Sequence, residues 1–165
     1  MKDTARLALL GAAAGAAGTT ALNGVTYLDM AVRGRPSSST PQDTVETLSD
    51  KGHVPVPGQG DARQNRIAGL GPLTGLLAGV GTGALLGVAR SAGWRPGPVG
   101  GTVVATVGAL LAGNAPMTLL GVTDPRSWPA SSWLADVVPH LAYGVVTGMV
   151  LDRLDPPPLR RLLRR

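Results

Sequence analysis

The chain has 165 residues, of which 44% are hydrophobic, 24 are Gly, 14 are Pro and only 15% are charged. An average soluble domain has about 25% charged residues, so this composition excludes an ordinary soluble fold and also a disordered chain. The sequence contains no Cys, which excludes a disulfide scaffold and a thiolate metal site.

Four stretches without charged residues predict helices that cross a membrane. They are 7–28 (22 residues), 67–89 (23 residues), 96–123 (28 residues) and 137–151 (15 residues), the last growing to 127–151 (25 residues) if Asp136 is tolerated. A spanning helix needs about 20 residues, and a charge at the bilayer centre costs roughly 2.5 to 3.5 kcal/mol. We therefore predict an all-α integral membrane four-helix bundle in one domain, with spans at about 6–30, 67–90, 98–121 and 131–153, a polar loop at 34–66 and a basic tail at 156–165.

A soluble bundle of four helices is the alternative to this architecture. It would need polar helix faces, but stretch 67–89 contains only Thr74 and Thr82 as polar side chains. Helices that are apolar on all sides are buried or lie in lipid. Because a chain this short cannot bury four helices completely, the sequence favours the membrane.

The first stretch also resembles a signal peptide, since Lys2 and Arg6 precede an apolar run rich in small residues. The apolar core of a signal peptide has about 7 to 15 residues. Here the charge-free run continues to Leu28. We therefore expect a retained membrane helix.

The loop 34–66 contains the signals of a short helix outside the membrane. Thr40 is a candidate N-cap, Pro41 suits the first helical position, and Asp43 adds an acidic residue in the first turn. We expect a helix over about 41–49 on the membrane surface. The segment 54–60 alternates Pro with Gly and is typical of an extended linker.

Glycines recur at every fourth position in the second stretch, which is the pattern of a glycine zipper. The row is Gly71, Gly75, Gly79, Gly83 and Gly87, and shorter rows are Gly11, Gly15 and Gly18 in the first stretch and Gly144 and Gly148 in the fourth. A bare helix face lets another backbone approach closely, and in lipid such faces drive helix association. We expect packing within the chain, with a homo-oligomer interface as the alternative.

Polar side chains cluster near one end of the predicted spans. The candidate site consists of Asn23, Asp29, Asn114, Asp136, His140 and Tyr143, which the up-and-down connectivity places in one leaflet together with Tyr27. Arg66 begins the second span at the same level and could pair with Asp29 or Asp136.

Asp136 and His140 share a helix face at i, i+4, with Pro139 between them and Tyr143 three residues further on. One hypothesis is a proton or cation site, because a carboxylate beside an imidazole can titrate near physiological pH. The other, which we favour, is a hydrogen-bonded staple between helices that includes Asn114 or Asn23. These residues and the remote His53 do not complete a metal shell, so we predict no metal and no cofactor.

Basic residues predict the orientation of the chain. Nine lie on the side of the two termini and of the turn 90–98, and six lie on the other side, which favours termini in the cytoplasm of a plasma-membrane protein. In the tail, Arg160, Arg161, Arg164 and Arg165 follow three prolines and are expected to contact lipid headgroups. They lack interleaved aromatic residues, so we expect no nucleic-acid partner.

Several segments resemble those of the uncharacterised small four-span integral membrane proteins of high-GC bacteria. They are 11–18, 23–36 (NGVTYLDMAVRGRP), 115–125 (APMTLLGVTDP) and 139–144 (PHLAYG). The resemblance covers most of the chain and implies no activity, ligand or catalytic residue.

The sequence therefore predicts a structural or accessory membrane protein without catalysis, whose partners are the lipid bilayer and another membrane protein or a second copy. The alternative is a small transporter or channel that uses the polar site. An enzyme would have to use Asp136, His140 and Tyr143 without a supporting nucleophile. The stretch 79–84 matches G-x-G-x-x-A, but it lacks the preceding strand and the following acidic residue of a dinucleotide site.

Overall fold

The computed structural model describes residues 2–156, so the four tail arginines Arg160, Arg161, Arg164 and Arg165 lie outside the described residues. Five α-helices and one 3₁₀ turn form in this range, and no strand does. The helices are α1 (Lys2–Arg33), α2 (Thr40–Gly52), α3 (Gly60–Ser91), α4 (Pro98–Leu119) and α5 (Ala130–Leu154), and the 3₁₀ turn is Pro125–Ser127. The predicted all-α fold is confirmed for the described residues.

Four of these helices, α1, α3, α4 and α5, are long and apolar enough to cross a membrane. Their lengths of 32, 32, 22 and 25 residues exceed the roughly 20 that a crossing needs. Helix α3 begins seven residues before its charge-free stretch, because the polar segment 60–66 contains helix-forming residues and an acidic residue in the first turn. This pattern indicates a multi-pass membrane protein.

The four long helices run alternately up and down. Gly15 of α1 lies against Gly79 of α3, and the earlier Gly11 lies against the later Gly83, so α1 and α3 are antiparallel. At one end of the α4–α5 pair, Asn114 meets Asp136, while Thr102 and Gly148 meet at the other end. Helix α1 packs between α3 and α5, α4 packs against α5, and the contact between α3 and α4 closes the ring loosely.

The centre of the bundle contains two alanines around one tyrosine, and many large apolar residues lie outside. The core consists of Ala105, Ala109 and Tyr143, with Leu22 and Leu86 packed against it. Large exposed side chains on the long helices include Leu77, Leu85, Val99, Leu111 and Met149. In water this distribution would expose apolar surface, whereas lipid gives helices no hydrophobic reason to bury leucine and favours small residues at contacts.

Helix α2 begins one residue earlier than expected and ends three residues later. Ser39, not Thr40, is the N-cap, and neither side chain caps the helix because Ser39 Oγ donates instead to Asp43 Oδ2 at 2.9 Å. His53 is the C-cap of the helix and has a positive φ of 53°. Val45 is buried, and Lys51 Nζ donates to the Leu120 carbonyl at 3.0 Å, which ties α2 to the end of α4.

The loop between α4 and α5 carries its own ion pair. Asp124 Oδ1 accepts hydrogen bonds from the backbone N–H of Arg126 at 3.1 Å and from its Nε at 3.0 Å. The Arg126 guanidinium, with help from the backbone N–H, lowers the pKa of the Asp124 carboxyl below its ordinary value. This exposed carboxylate lies outside the four long helices.

Candidate functional site

Three of the predicted polar residues meet between α4 and α5. Asn114 Nδ2 donates to Asp136 Oδ2 at 2.7 Å, and His140 Nδ1 lies 3.3 Å from Asp136 Oδ1. All three side chains are partly buried. Asp136 therefore joins the two helices through an amide on one side and faces an imidazole one helical turn away on the other.

The hydrogen bonds of His140 indicate which ring nitrogen is the donor. Nδ1 lies 2.7 Å from the backbone carbonyl oxygen of Asp136, in addition to its contact with the carboxylate. A backbone carbonyl can only accept, so Nδ1 is the ring nitrogen that donates to it. Nε2 points toward α4, where a Cβ on Gly113 would lie 3.8 Å away.

Tyr143 lies apart from this cluster, at the centre of the bundle. Its side chain is fully buried, and its hydroxyl donates to the Gly79 carbonyl of α3 at 2.6 Å. The Cα of Gly79, which has no side chain, thus faces Thr19 of α1, while its carbonyl oxygen accepts from Tyr143 of α5. Tyr143 connects α5 to α3 across the bundle and does not contact the carboxylate of Asp136 by hydrogen bond.

The other polar residues predicted at this end of the spans do not join the cluster of Asn114, Asp136 and His140. Asp29 accepts hydrogen bonds from Arg33 Nε at 2.7 Å and from Arg35 Nε at 2.5 Å at the end of α1. Asn23 makes no side-chain hydrogen bond with any residue in 2–156, and Tyr27 is exposed. Within residues 2–156, Arg66 pairs with neither Asp29 nor Asp136; its Nη1 donates to the Pro57 carbonyl at 2.8 Å.

Glycines of α1 and α3 bring two helix backbones into direct contact. A Cβ built on Gly15 would lie 2.6 Å from the carbonyl oxygen of Gly79, and one on Gly83 would lie 2.6 Å from Cα of Gly15. Gly11 and Gly87 meet in the same way, with a Cβ on Gly11 2.9 Å from Cα of Gly87. None of these positions has room for a side chain unless the helices separate.

The other glycines of the rows have different neighbours. Gly71 faces Gln42 of α2, and a Cβ on Gly75 would meet nothing within 4 Å. Gly18 lies against Tyr143 and Thr147 of α5. Gly144 lies against Thr106 and Thr102 of α4, and a Cβ on Gly148 would lie 3.6 Å from Thr102 Oγ1. In the predicted row on α3, Gly71 therefore contacts α2 and Gly75 is exposed. The other three glycines contact α1, and they are Gly79, Gly83 and Gly87.

A buried arginine that the sequence analysis did not single out joins α3 to α5 at the opposite end of the bundle. Arg90 is 8% exposed, and its Nη1 donates to the Leu151 and Asp155 carbonyls at 3.1 Å each. Its Nη2 pairs with Asp152, and Arg95 Nη2 lies 2.6 Å from Asp155 Oδ2. The sequence does contain a signal for this pairing. Arg90 and Asp152 each follow a charge-free stretch, and the connectivity places both residues on the same side of the bundle.

No family model matches the chain, and no curated protein or solved structure does. Within residues 2–156, no group of three or more His, Asp or Glu side chains is arranged to hold a metal ion.

Proposed function

We propose that the protein is a structural or accessory integral membrane protein that performs no catalysis. The hydrogen bond between Asn114 and Asp136, at 2.7 Å, is the observation that carries this proposal. It uses the carboxylate of Asp136, inside the predicted span 131–153, to join α4 to α5, as Tyr143 joins α5 to α3. Interhelical hydrogen bonds of this kind contribute about 0.6 kcal/mol on average in membrane proteins.

The glycine contacts support the same role. In lipid, helices associate through van der Waals packing, and the close approach of Gly15 to Gly79 and Gly83 gives α1 and α3 a large backbone contact. We propose that these glycine faces form a zipper inside the chain. A homo-oligomer would need another face, since the α1–α3 contact already covers Gly11, Gly15, Gly83 and Gly87.

The chain is proposed to reside in the plasma membrane with both termini in the cytoplasm, on the basis of its nine basic residues against six. Helix α2 then lies on the outer side, where it offers a polar face to a membrane-protein partner. Cross-linking in native membranes and purification in mild detergent identify that partner or a second copy.

Paired asparagine substitutions test the structural role. We expect Asn114→Ala to lower the free energy of unfolding by about 0.5 to 1.5 kcal/mol, because it removes the bond between α4 and α5. Asn23→Ala is the matched control, since Asn23 makes no side-chain hydrogen bond within 2–156. Denaturant unfolding in detergent measures both, and equal effects of the two substitutions would contradict the staple.

A small transporter or channel is the second candidate function. Asp136 favours it, because an ionisable residue in a span facing His140 at 3.3 Å is expected at ion and proton pathways. Proteoliposomes loaded with a pH-sensitive dye separate the two functions. We expect proton flux equal to that of protein-free liposomes for wild type, Asp136→Asn and His140→Ala, and also for the loop control Asp124→Asn. Flux that both span substitutions abolish and the control retains would overturn the structural proposal.

A further inference from the structure

An open apolar cavity of about 610 Å³ lies between α2, the linker that follows it and the beginning of α3. Val45 and Leu48 of α2, Val54 of the linker, and Leu70 and Leu73 of α3 form its apolar walls. Its volume falls within the roughly 300 to 1,000 Å³ of typical small-molecule sites, which are mostly apolar with a few polar groups.

The cationic side chain at this cavity is Arg66. Its guanidinium donates to the Pro57 carbonyl at 2.8 Å and makes no ion pair with any carboxylate in residues 2–156. The neighbouring Arg63 differs, because its Nη1 pairs with Glu46 at 2.8 Å. Arg66 therefore retains donors for an anionic group held beside the apolar walls.

The cavity lies at the boundary between the polar and apolar parts of α3. Arg66 is the last charged residue before the charge-free stretch 67–89. Leu70, Leu73 and Leu77 continue from the cavity at i, i+3 and i+7 on one face and are 41%, 51% and 70% exposed. An apolar chain that enters the cavity can thus extend along α3 without leaving an apolar surface.

We propose that this cavity binds one anionic phospholipid, with an acyl chain against Leu70 and Leu73 and the phosphate at Arg66. The inference rests on the membrane insertion proposed above. Apolar walls, an unpaired cation and a position at the boundary are the three features that such an amphiphile requires. The basic tail of the chain does not fit, because its arginines would meet Arg66 with like charge.

Two glycines of α3 provide a matched pair of variants. Gly69 lines the cavity, and a Cβ there would meet nothing within 4 Å, so Gly69→Leu places a bulky side chain at the cavity without a backbone clash at Cβ. Gly75 is equally open but does not line the cavity. Gly75→Leu therefore controls for added volume on the same helix. Arg126→Gln, in the loop between α4 and α5, controls for loss of an exposed arginine in Arg66→Gln.

The experiment uses full-length protein in nanodiscs of equal parts phosphatidylglycerol and phosphatidylcholine with identical acyl chains. After transfer to mild detergent, native mass spectrometry counts the retained lipids. We expect wild type to retain one phosphatidylglycerol per chain. Arg66→Gln should weaken the preference for phosphatidylglycerol over phosphatidylcholine by about fivefold. Gly69→Leu should lower the occupancy of the lipid by about tenfold or more. Gly75→Leu and Arg126→Gln should match wild type.

Equal retention in wild type and Gly69→Leu would overturn the site, and equal retention of the two lipids by wild type would overturn the anionic specificity. A second protein chain retained in place of lipid would also contradict the proposal. These failures concern only the cavity, because the proposed structural function fails instead through flux that depends on Asp136.

Discussion

Arg90 shows how one residue can fix two helix ends. It lies at the end of α3 and donates to two carbonyls at the end of α5. The Leu151 carbonyl also accepts from the Asp155 N–H, and the Asp155 carbonyl also accepts from Arg95 Nη1. The carboxylates of Asp152 and Asp155 balance its charge. Removal of the guanidinium takes one of two donors from each carbonyl and leaves the partly buried Asp152 carboxylate without its ion-pair partner.

We therefore expect Arg90→Gln to lower the free energy of unfolding by about 2 kcal/mol. The value is below the full cost of breaking a buried pair because the side chain of Asp152 is 38% exposed. Arg153→Gln on α5 removes an exposed arginine with no ion pair in residues 2–156 and should change stability little. Thermal unfolding in detergent, followed by tryptophan fluorescence, compares the two. A smaller loss for Arg90→Gln than for Arg153→Gln would contradict this assignment.

Spacing in the sequence was sufficient to place Asp136 beside His140 and to suggest Asn114 as a partner. It was not sufficient to separate Tyr143 from them, although the i, i+3 interval from His140 puts the two on neighbouring faces. Tyr143 turns to the centre because α1 and α3 present bare glycines there, and this depends on how three helices meet. Arg33 pairs with Asp29 at i, i+4 within α1, but pairing of Asp29 with Arg35 depends on the turn that follows α1.

Helix α3 explains why a uniform glycine row does not make a uniform contact. Four residues of an α-helix turn the chain by about 400°, so each step of the row rotates its direction by about 40°. From Gly71 to Gly87 the direction changes by about 160°. Gly71 therefore faces α2, the last three glycines face α1, and Gly75 faces neither.

This division predicts opposite effects for one substitution at two positions of the row. Gly83→Ala forces a Cβ against the backbone of Gly15 and should destabilise the bundle by about 1 to 3 kcal/mol. Gly75→Ala has open space and should leave stability unchanged or raise it by up to about 1 kcal/mol through helix propensity. Unfolding in detergent measures both. Equal losses would mean that α1 does not contact α3 at Gly83.

Charge-free stretches predicted the positions of the four long helices, because a run of apolar residues long enough to span a membrane is a local property of the sequence. The start of α2 differed by one residue, since Thr40 and Ser39 are both competent caps and the choice depends on local hydrogen bonds. The cavity beside Gly69 was not predicted. Its walls come from three segments whose association is a tertiary property.

At the level of the molecule, the proposed orientation can be tested because the chain has no Cys. Ser37 lies in the loop between α1 and α2, and Ser91 ends α3 on the opposite side; both are exposed. We expect a membrane-impermeant maleimide to label Ser37→Cys in intact cells and Ser91→Cys only after permeabilisation. The reverse pattern would place both termini outside.

The contact between Gly15 and Gly79 also has a consequence for biosynthesis. The two residues are 64 positions apart, so at about 5 to 20 residues per second α1 leaves the ribosome about 3 to 13 seconds before its partner surface exists. In the proposed membrane location, the nascent α1 would spend this interval with its glycine face unoccupied. A translocation-associated chaperone that shields small-residue helices would have its longest opportunity to act at this stage.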